Sequence, residues 1–322
     1  MKIFRKIEEF TPPEKGIALA LGRFDGVHAG HTALIARTVE LAHRHDLSPS
    51  CFSFFNSETP DPANPGWLTT SDEKAALISE IGIEYLIYPD FAPPLIDLSP
   101  LEFLETLVID RWKAGLIVAG YDYRFGKNRA GDTDLLKTVS ERHGVIPVIF
   151  EPVLIDGVPV KSSAIREMIS QGEVGNATRL LGKPFSVTGK IVEGRKLGIK
   201  MGFPTLNFRW PVSKVAPKFG VYAVRIGSEF FEGQKSSCDA VANFGVSPTI
   251  DPGNKTMGLE VHVLDSIEIL NSNKPIPSET VFKIEFISFI RPEEKFDSIE
   301  ELTKQISLDC DSARSIFNKI GK

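Results

Sequence analysis

The stretch Gly16-Ile17-Ala18-Leu19-Ala20-Leu21-Gly22-Arg23-Phe24-Asp25-Gly26-Val27-His28-Ala29-Gly30-His31 decides how the first half of the chain folds. Its apolar opening reads as a buried strand that ends at Gly22. From His31 to His45 the apolar positions Leu34, Ile35, Leu41 and Ala42 share one helical face, and the segment after Ser50 is strand-like again. This is a βαβ opening, with Gly22 to His31 as its first strand-to-helix turn. Glycines let backbone approach a ligand closely, a helix N-terminus offers N–H groups and a favourable dipole, and histidines donate to phosphate oxygens. An isolated HxGH match also fits a glycine-rich turn whose histidines merely cap the helix.

Outward from this turn the pattern repeats. Thr70 and Glu73 have capping-box spacing, and Ser99-Pro100-Leu101-Glu102 puts proline at a first helical position. Tyr85 to Tyr88, Leu116 to Ala119 and Val145 to Phe150 supply further core strands, while Asp61 to Gly66 reads as one long loop. Strands alternating with helices predict a parallel, doubly wound sheet with its ligand beyond the strands' carboxyl ends. Strand, glycines, Asp25, His28 and His31 then stand where the HxGH nucleotidyltransferase class, which transfers a nucleotide from ATP, requires them.

After about Leu181 the rhythm changes. Phe185 to Glu193, Val221 to Ile226, Ala240 to Val246, Leu259 to Leu264 and Val281 to Phe289 read as strands without comparable helices between them, and a last helix starts at Ser298 with Glu301 as its capping-box partner. This predicts an antiparallel barrel closed off by a terminal helix, and domains of 1–183 and 184–322.

Two more segments extend the first site. Gly120-Tyr121-Asp122-Tyr123-Arg124-Phe125-Gly126 follows a strand, so Asp122 can orient a substrate or metal, or simply hold a turn. In Lys161-Ser162-Ser163-Ala164-Ile165-Arg166 the hydroxyls and guanidinium suit a triphosphate, or equally a helix cap and a solvated cation. In the second half, Gly194 to Asn207 is basic and glycine-rich: Gly194, Lys200 and Gly202 suit phosphates, and Pro204-Thr205-Leu206-Asn207 carries the oxygen donors Mg²⁺ prefers. A long basic hairpin is the bland reading. Alternation in Leu259 to Asp265 sets Glu260 and His262 on one face, where Glu260 is a candidate base or an ordinary solvent-facing strand residue.

Composition narrows the classes. At 322 residues, 42% hydrophobic and 25% charged, the chain has ordinary globular make-up and room for two cores. A net charge of -5 opposes binding nucleic acid through a basic surface. Cys51, Cys238 and Cys310 have neither disulfide-framework nor zinc spacing. The start lacks a signal-peptide core, and no apolar run approaches the ~20 residues of a membrane span, so a cytoplasmic location without membrane partners is expected. A monomer or weak homo-oligomer working on small molecules fits these properties.

Taken in order, GxFDGVHxGH at Gly22 to His31, GxDxxFG at Gly120 to Gly126, SSxIR at Ser162 to Arg166, GFPTxN at Gly202 to Asn207, GVYAV at Gly220 to Val224, EVHxLD at Glu260 to Asp265 and RxExKF at Arg291 to Phe296 resemble the bacterial bifunctional riboflavin kinase/FAD synthetase family. The resemblance implies an N-terminal α/β nucleotidyltransferase (Rossmann-like) domain that adenylylates FMN to FAD, releasing pyrophosphate. It also implies a C-terminal six-stranded, riboflavin kinase-like barrel that phosphorylates riboflavin to FMN, both using Mg²⁺ and ATP. His28 and His31 would stabilise the α-phosphate transition state, with Gly22, Phe24, Asp25, Gly26, Gly30, Asp122, Ser162, Ser163 and Arg166 about the nucleotide. Gly194, Lys200, Gly202, Pro204, Thr205 and Asn207 would meet Mg-ATP, and Glu260 would activate the riboflavin hydroxyl. The chain differs from the family pattern at Asn56-Ser57-Glu58, Lys161, Lys200-Met201, Ser266 and Asn271-Ser272-Asn273. The first difference motivates an alternative: a riboflavin kinase whose N-terminal domain binds nucleotide or flavin with little turnover. A flavin-sensing regulator that touches RNA is a third reading, opposed by the acidic balance.

Overall fold

Five consecutive residues, Ile17–Leu21, are wholly buried because both faces of their strand are covered. In the computed structural model, which describes residues 1–55, 66–194, 197–228, 237–247, 256–264 and 276–321, this strand is β2 of a six-stranded parallel sheet. The strands are β1 (Lys2–Phe4), β2 (Ile17–Leu21), β3 (Ser48–Phe52), β4 (Tyr85–Ile87), β5 (Ala114–Gly120) and β6 (Ile146–Phe150), in the order β1-β4-β3-β2-β5-β6. Alternation divides the core. Ile17, Leu19 and Leu21 pack with Phe103 and Trp112 on one face, while Ala18 and Ala20 pack with Ile35, Ala42 and Ile78 on the other. The chain winds outward from β2 through β3 and β4, then returns to add β5 on β2's other side. The crevice at the ends of β2 and β5 is therefore the topological switch point.

Helix α1 (Ala29–Arg44) follows the glycine turn as expected, and α2 (Ser71–Glu80) has both arms of its Thr70–Glu73 capping box. Ser99 and Glu102 also exchange capping bonds, at 2.8 Å and 3.2 Å, but the helix after Pro100 runs as a π-helix over Glu102–Arg111, a wider coil than the sequence pattern implies. Next come α3 (Thr133–Arg142), a short hairpin of β7 (Leu154–Ile155) and β8 (Val158–Pro159), α4 (Ser162–Ser170) and α5 (Val174–Leu181). The chain divides into two compact units, Met1–Ser162 and Ser163–Lys322. The change of sequence rhythm at Gly182 to Pro184 falls later because α4 and α5 belong to the second unit.

That unit is a closed barrel in the order β10-β13-β12-β11-β14-β9. Its members are β9 (Phe185–Val192), β10 (Leu206–Arg209), β11 (Gly220–Gly227), β12 (Ser237–Ser247), β13 (Thr256–Val263) and β14 (Val281–Arg291), with α6 (Leu197–Lys200) between the first two. β10 was not separately legible, since its four residues continue a glycine-rich connection. Aromatic rings fill the interior, Trp210 against Phe244 at 4.7 Å and Tyr222 against Phe286 at 5.1 Å between centroids. On the outside, Val221, Ala223 and Val241 pack with Cys310, Ala313 and Phe317 of α7 (Ile299–Ile320).

Ser298 caps α7 by accepting from the Glu301 N–H at 3.1 Å, but Glu301 returns its bond to the Asp297 N–H, so only half the expected capping box forms. Arg291, at the end of β14, grips buried Asp309 of α7 through two 2.8 Å hydrogen bonds, and Gln305 adds a third at 3.0 Å. Removing one partner of a buried pair strands the other charge. Asp309→Ala is expected to lower the barrel unit's stability by about 3 kcal/mol, read as an earlier urea midpoint.

Candidate functional site

The turn between β2 and α1 is backbone under constraint: Phe24, Gly26 and Val27 all have positive φ, at 49°, 77° and 39°. Two non-glycine residues in that region signal a conformation held by its surroundings. The clamp is Asp25. Its buried carboxylate accepts from the backbone N–H groups of Leu68 at 2.9 Å and Thr69 at 3.4 Å, while the Thr69 hydroxyl accepts from the Gly26 N–H at 3.2 Å. The Ser162 hydroxyl donates to the Asp25 carbonyl at 3.1 Å, joining two motifs 137 residues apart. Asp25 therefore shapes the turn from within.

His28 caps α1, its Nδ1 accepting from the His31 N–H at 3.3 Å, which puts the proton of the neutral ring on Nε2. The two imidazoles stack at 3.5 Å, and Phe24 meets His31 edge-on at 5.3 Å. His31 lines a cleft of about 580 Å³ with Gly22, Phe24, Gly120 and Asp122, at the ends of β2 and β5; His28 lies behind it and is buried. Ser163 and Arg166 continue along α4 at the start of the second unit. Of the differences from the family pattern, Asn56 to Glu58 lie outside the described residues, as does Asp61 to Pro65 of the expected long loop.

Several residues in and behind this cleft were assigned no role from the sequence. Arg23 stands 5.5 Å from the Trp67 ring and 5.3 Å from Phe91, and Phe91 packs edge-on against Phe54 at 4.7 Å. Lys74 of α2 is buried, and its Nζ donates to the carbonyls of Phe54 at 2.8 Å and Arg23 at 3.2 Å. Burial pushes the Lys74 ammonium down to about 7, against the pull of the Asp25 carboxylate. A lysine in an amphipathic helix reads as surface; only its position over the sheet end puts it inside.

In the barrel, register builds the second site. Asn207 of β10 pairs with Glu260 of β13, which pairs in turn with Asn243 of β12, so three polar side chains form one row across adjacent strands. Leu259, Val261 and Val263 are buried and Glu260 is exposed, as alternation predicts. His262 lies 2.9 Å from the Pro204 carbonyl through Nδ1, which holds the Phe203-Pro204-Thr205 segment to β13. Thr205, Asn207, Asn243, Glu260 and Glu293 line one cavity of about 660 Å³. Asn243 donates to Glu293 at 3.3 Å, tying the Arg291 to Phe296 segment to the row. Gly202 closes the turn after α6 at φ +84°, and Lys200 is the last residue of that helix. Arg195, Lys196, Asp265, Ser266 and Asn271 to Asn273 lie outside the described residues.

At Gly194 a Cβ would stand 2.4 Å from the Asn207 amide, so only glycine leaves that side chain its place. Gly194→Ala is expected to reduce riboflavin phosphorylation at least tenfold while FMN adenylylation is unchanged, checked by separate assays of the two reactions.

A histidine-bearing loop at the switch point of an α/β sheet, followed by a barrel whose cavity is lined by a hydroxyl, amides and carboxylates, defines a two-domain transferase of phosphorus-containing groups. Residues 11–164 match the FAD synthetase family model and residues 181–317 the riboflavin kinase model. The bifunctional riboflavin kinase/FMN adenylyltransferase of Pseudomonas fluorescens is 32% identical, covering 98% of both chains. The enzymes of the same name from Escherichia coli K12 and Listeria monocytogenes are each 31% identical, over 98% and 97% of this chain and 98% and 96% of their own. A solved structure titled as a macrolide-efflux protein of Streptococcus pneumoniae superposes with a TM-score of 0.80 at 26% identity, covering 97% of this chain and 98% of its own. The chain belongs to the bifunctional riboflavin kinase/FMN adenylyltransferase family. Both catalytic domains are present, which supports the two-activity reading over the kinase-only alternative. Among the described residues no helix is long and apolar enough to cross a membrane.

Proposed function

We propose that the cleft at the ends of β2 and β5 is where FMN is adenylylated, and that the Asn207–Glu260–Asn243 row is where riboflavin is phosphorylated, with the functional divide at 183/184. The observation that supports this most directly is the pairing of each motif with a cavity: the stacked His28–His31 pair beside one, the row of oxygen donors in the other. In the first, the FMN phosphate oxygen attacks the α-phosphorus of ATP and pyrophosphate leaves. Imidazole N–H donors and α1's N-terminus stabilise the charge that grows on the α-phosphate oxygens. Asp25 acts by holding the turn, Asp122 faces the cleft from β5's end, and Ser162, Ser163 and Arg166 are assigned to the triphosphate on the family resemblance.

In the barrel, Glu260 accepts the proton of the riboflavin hydroxyl as its oxygen attacks the γ-phosphorus, and ADP leaves. Gly194, Lys200, Gly202 and Pro204 set the backbone around ATP. The Thr205 hydroxyl and Asn207 amide oxygen are hard donors of the kind magnesium takes, and among the described residues no cluster of His, Cys, Asp and Glu offers a protein-only metal site. Magnesium bound there with ATP would neutralise phosphate charge; the protein's own residues align the nucleophile. Neither reaction needs a covalent enzyme intermediate.

Small-molecule substrates, a cytoplasmic location and a monomer or weak homo-oligomer complete the proposal. The test is a time course of purified chain with riboflavin, ATP and Mg²⁺, resolved by chromatography. FMN should appear first and FAD second, and FMN supplied alone with ATP should yield FAD and pyrophosphate. FMN accumulating without FAD would return the kinase-only reading, and salt-sensitive RNA binding without turnover the regulator.

A further inference from the structure

Lys74 stands apart from every motif, yet it joins two walls of the first cleft. Its side chain leaves α2 beside the capping box that fixes the helix start, passes Tyr88 at 5.1 Å, and ends on the carbonyls of Arg23 and Phe54. Arg23 belongs to the loop after β2, Phe54 to the segment after β3. The Ser53 hydroxyl also donates to the Arg23 carbonyl at 2.9 Å, so both strand ends converge on one point. The charged groups facing the ammonium are Asp25, which favours it, and Arg23, which opposes it; buried Cys51 and Tyr88 are titratable neighbours.

The two clamped residues bear the side chains of a continuous wall. Arg23 reaches over Phe91, Phe91 packs on Phe54, and Phe54 packs on Phe52 at 5.0 Å, with Leu95 and Phe103 completing an apolar lining. Adenine presents polar edges that ask for hydrogen bonds, whereas isoalloxazine has a dimethylbenzenoid edge without any. The lining suits the second.

We propose that Lys74 is a positioning residue for the flavin acceptor: by holding the Arg23 and Phe54 backbones together it sets the wall against which the FMN ring system packs. This rests on the assignment of the cleft to FMN adenylylation. A lysine amine lying on two carbonyls can hold them at a distance that neither strand pairing nor a methyl-terminated side chain enforces. Its effect should therefore fall on FMN affinity rather than on ATP.

The experiment measures FAD formation by wild type, Lys74→Met and Lys74→Arg with FMN and ATP varied separately, alongside melting temperature and the riboflavin kinase rate of each. Lys74→Met is expected to raise the KM for FMN tenfold or more with the KM for ATP within twofold, and Lys74→Arg, which keeps the donors, to recover part of the loss. An FMN KM within twofold of wild type in Lys74→Met, or equal rises in both KM values, overturns the inference. If Lys74→Met does not fold, Lys74→Arg decides: an FMN KM shifted alone by threefold or more supports the inference and an unchanged one overturns it. Failure of the cleft assignment reads differently, as wild-type FAD formation that survives loss of His28 and His31.

Discussion

His31→Ala is expected to lower FAD formation from FMN by at least about 100-fold, the cost of removing one donor from the site proposed to stabilise developing charge. His28→Ala should fall in the same range. The rings act as a unit: His28 is buried behind His31, stacked on it at 3.5 Å, and its Nδ1 holds the first turn of α1 by accepting from the His31 N–H. Removing either leaves the other without its stacking partner, so the double variant should lose little more than the worse single one, a non-additivity expected of groups that share one task. Riboflavin phosphorylation by the same variants should stay within twofold of wild type, because the barrel's cavity is lined by none of these residues. Parallel losses of both reactions would instead signal a folding defect, which a melting curve would show.

Glu260→Gln is expected to be the converse. It keeps size and hydrogen-bonding capacity but removes the proposed base, so FMN formation should fall by about 100- to 10,000-fold, the usual worth of general base catalysis, with little change in riboflavin KM. FAD formation from supplied FMN should continue. Its neighbours in the row sharpen the test. Asn207→Ala removes a proposed metal-side donor and should raise the KM for Mg-ATP, whereas Glu260→Gln should not. A Glu260→Gln enzyme with an undiminished kinase rate would move the base elsewhere in the cavity.

Much of this is legible in the sequence. The buried run Ile17 to Leu21, the glycines and histidines after it and the alternation at Leu259 to Val263 are local patterns, and each appears where it was expected. The departures are small and physical. Glu301 bonds to Asp297 rather than Ser298 because a flexible carboxylate reaches either N–H. The helix after Ser99 widens into a π-helix, since its cap is a local signal and its pitch is not.

The sequence alone determined the two fold types, the order of the domains and the glycine-rich turns, because side-chain period, cap spacing and glycine placement act over a few residues and are written contiguously. The tertiary structure decided what those residues do together. Strand pairing placed Asn207, Glu260 and Asn243 in one row from positions up to 53 apart. Burial turned Asp25 inward to hold Leu68 and Thr69, and it took Lys74 from a helix that reads as solvent-facing to the carbonyls of Arg23 and Phe54. Register and burial depend on which distant segments pack, and no local spacing encodes that.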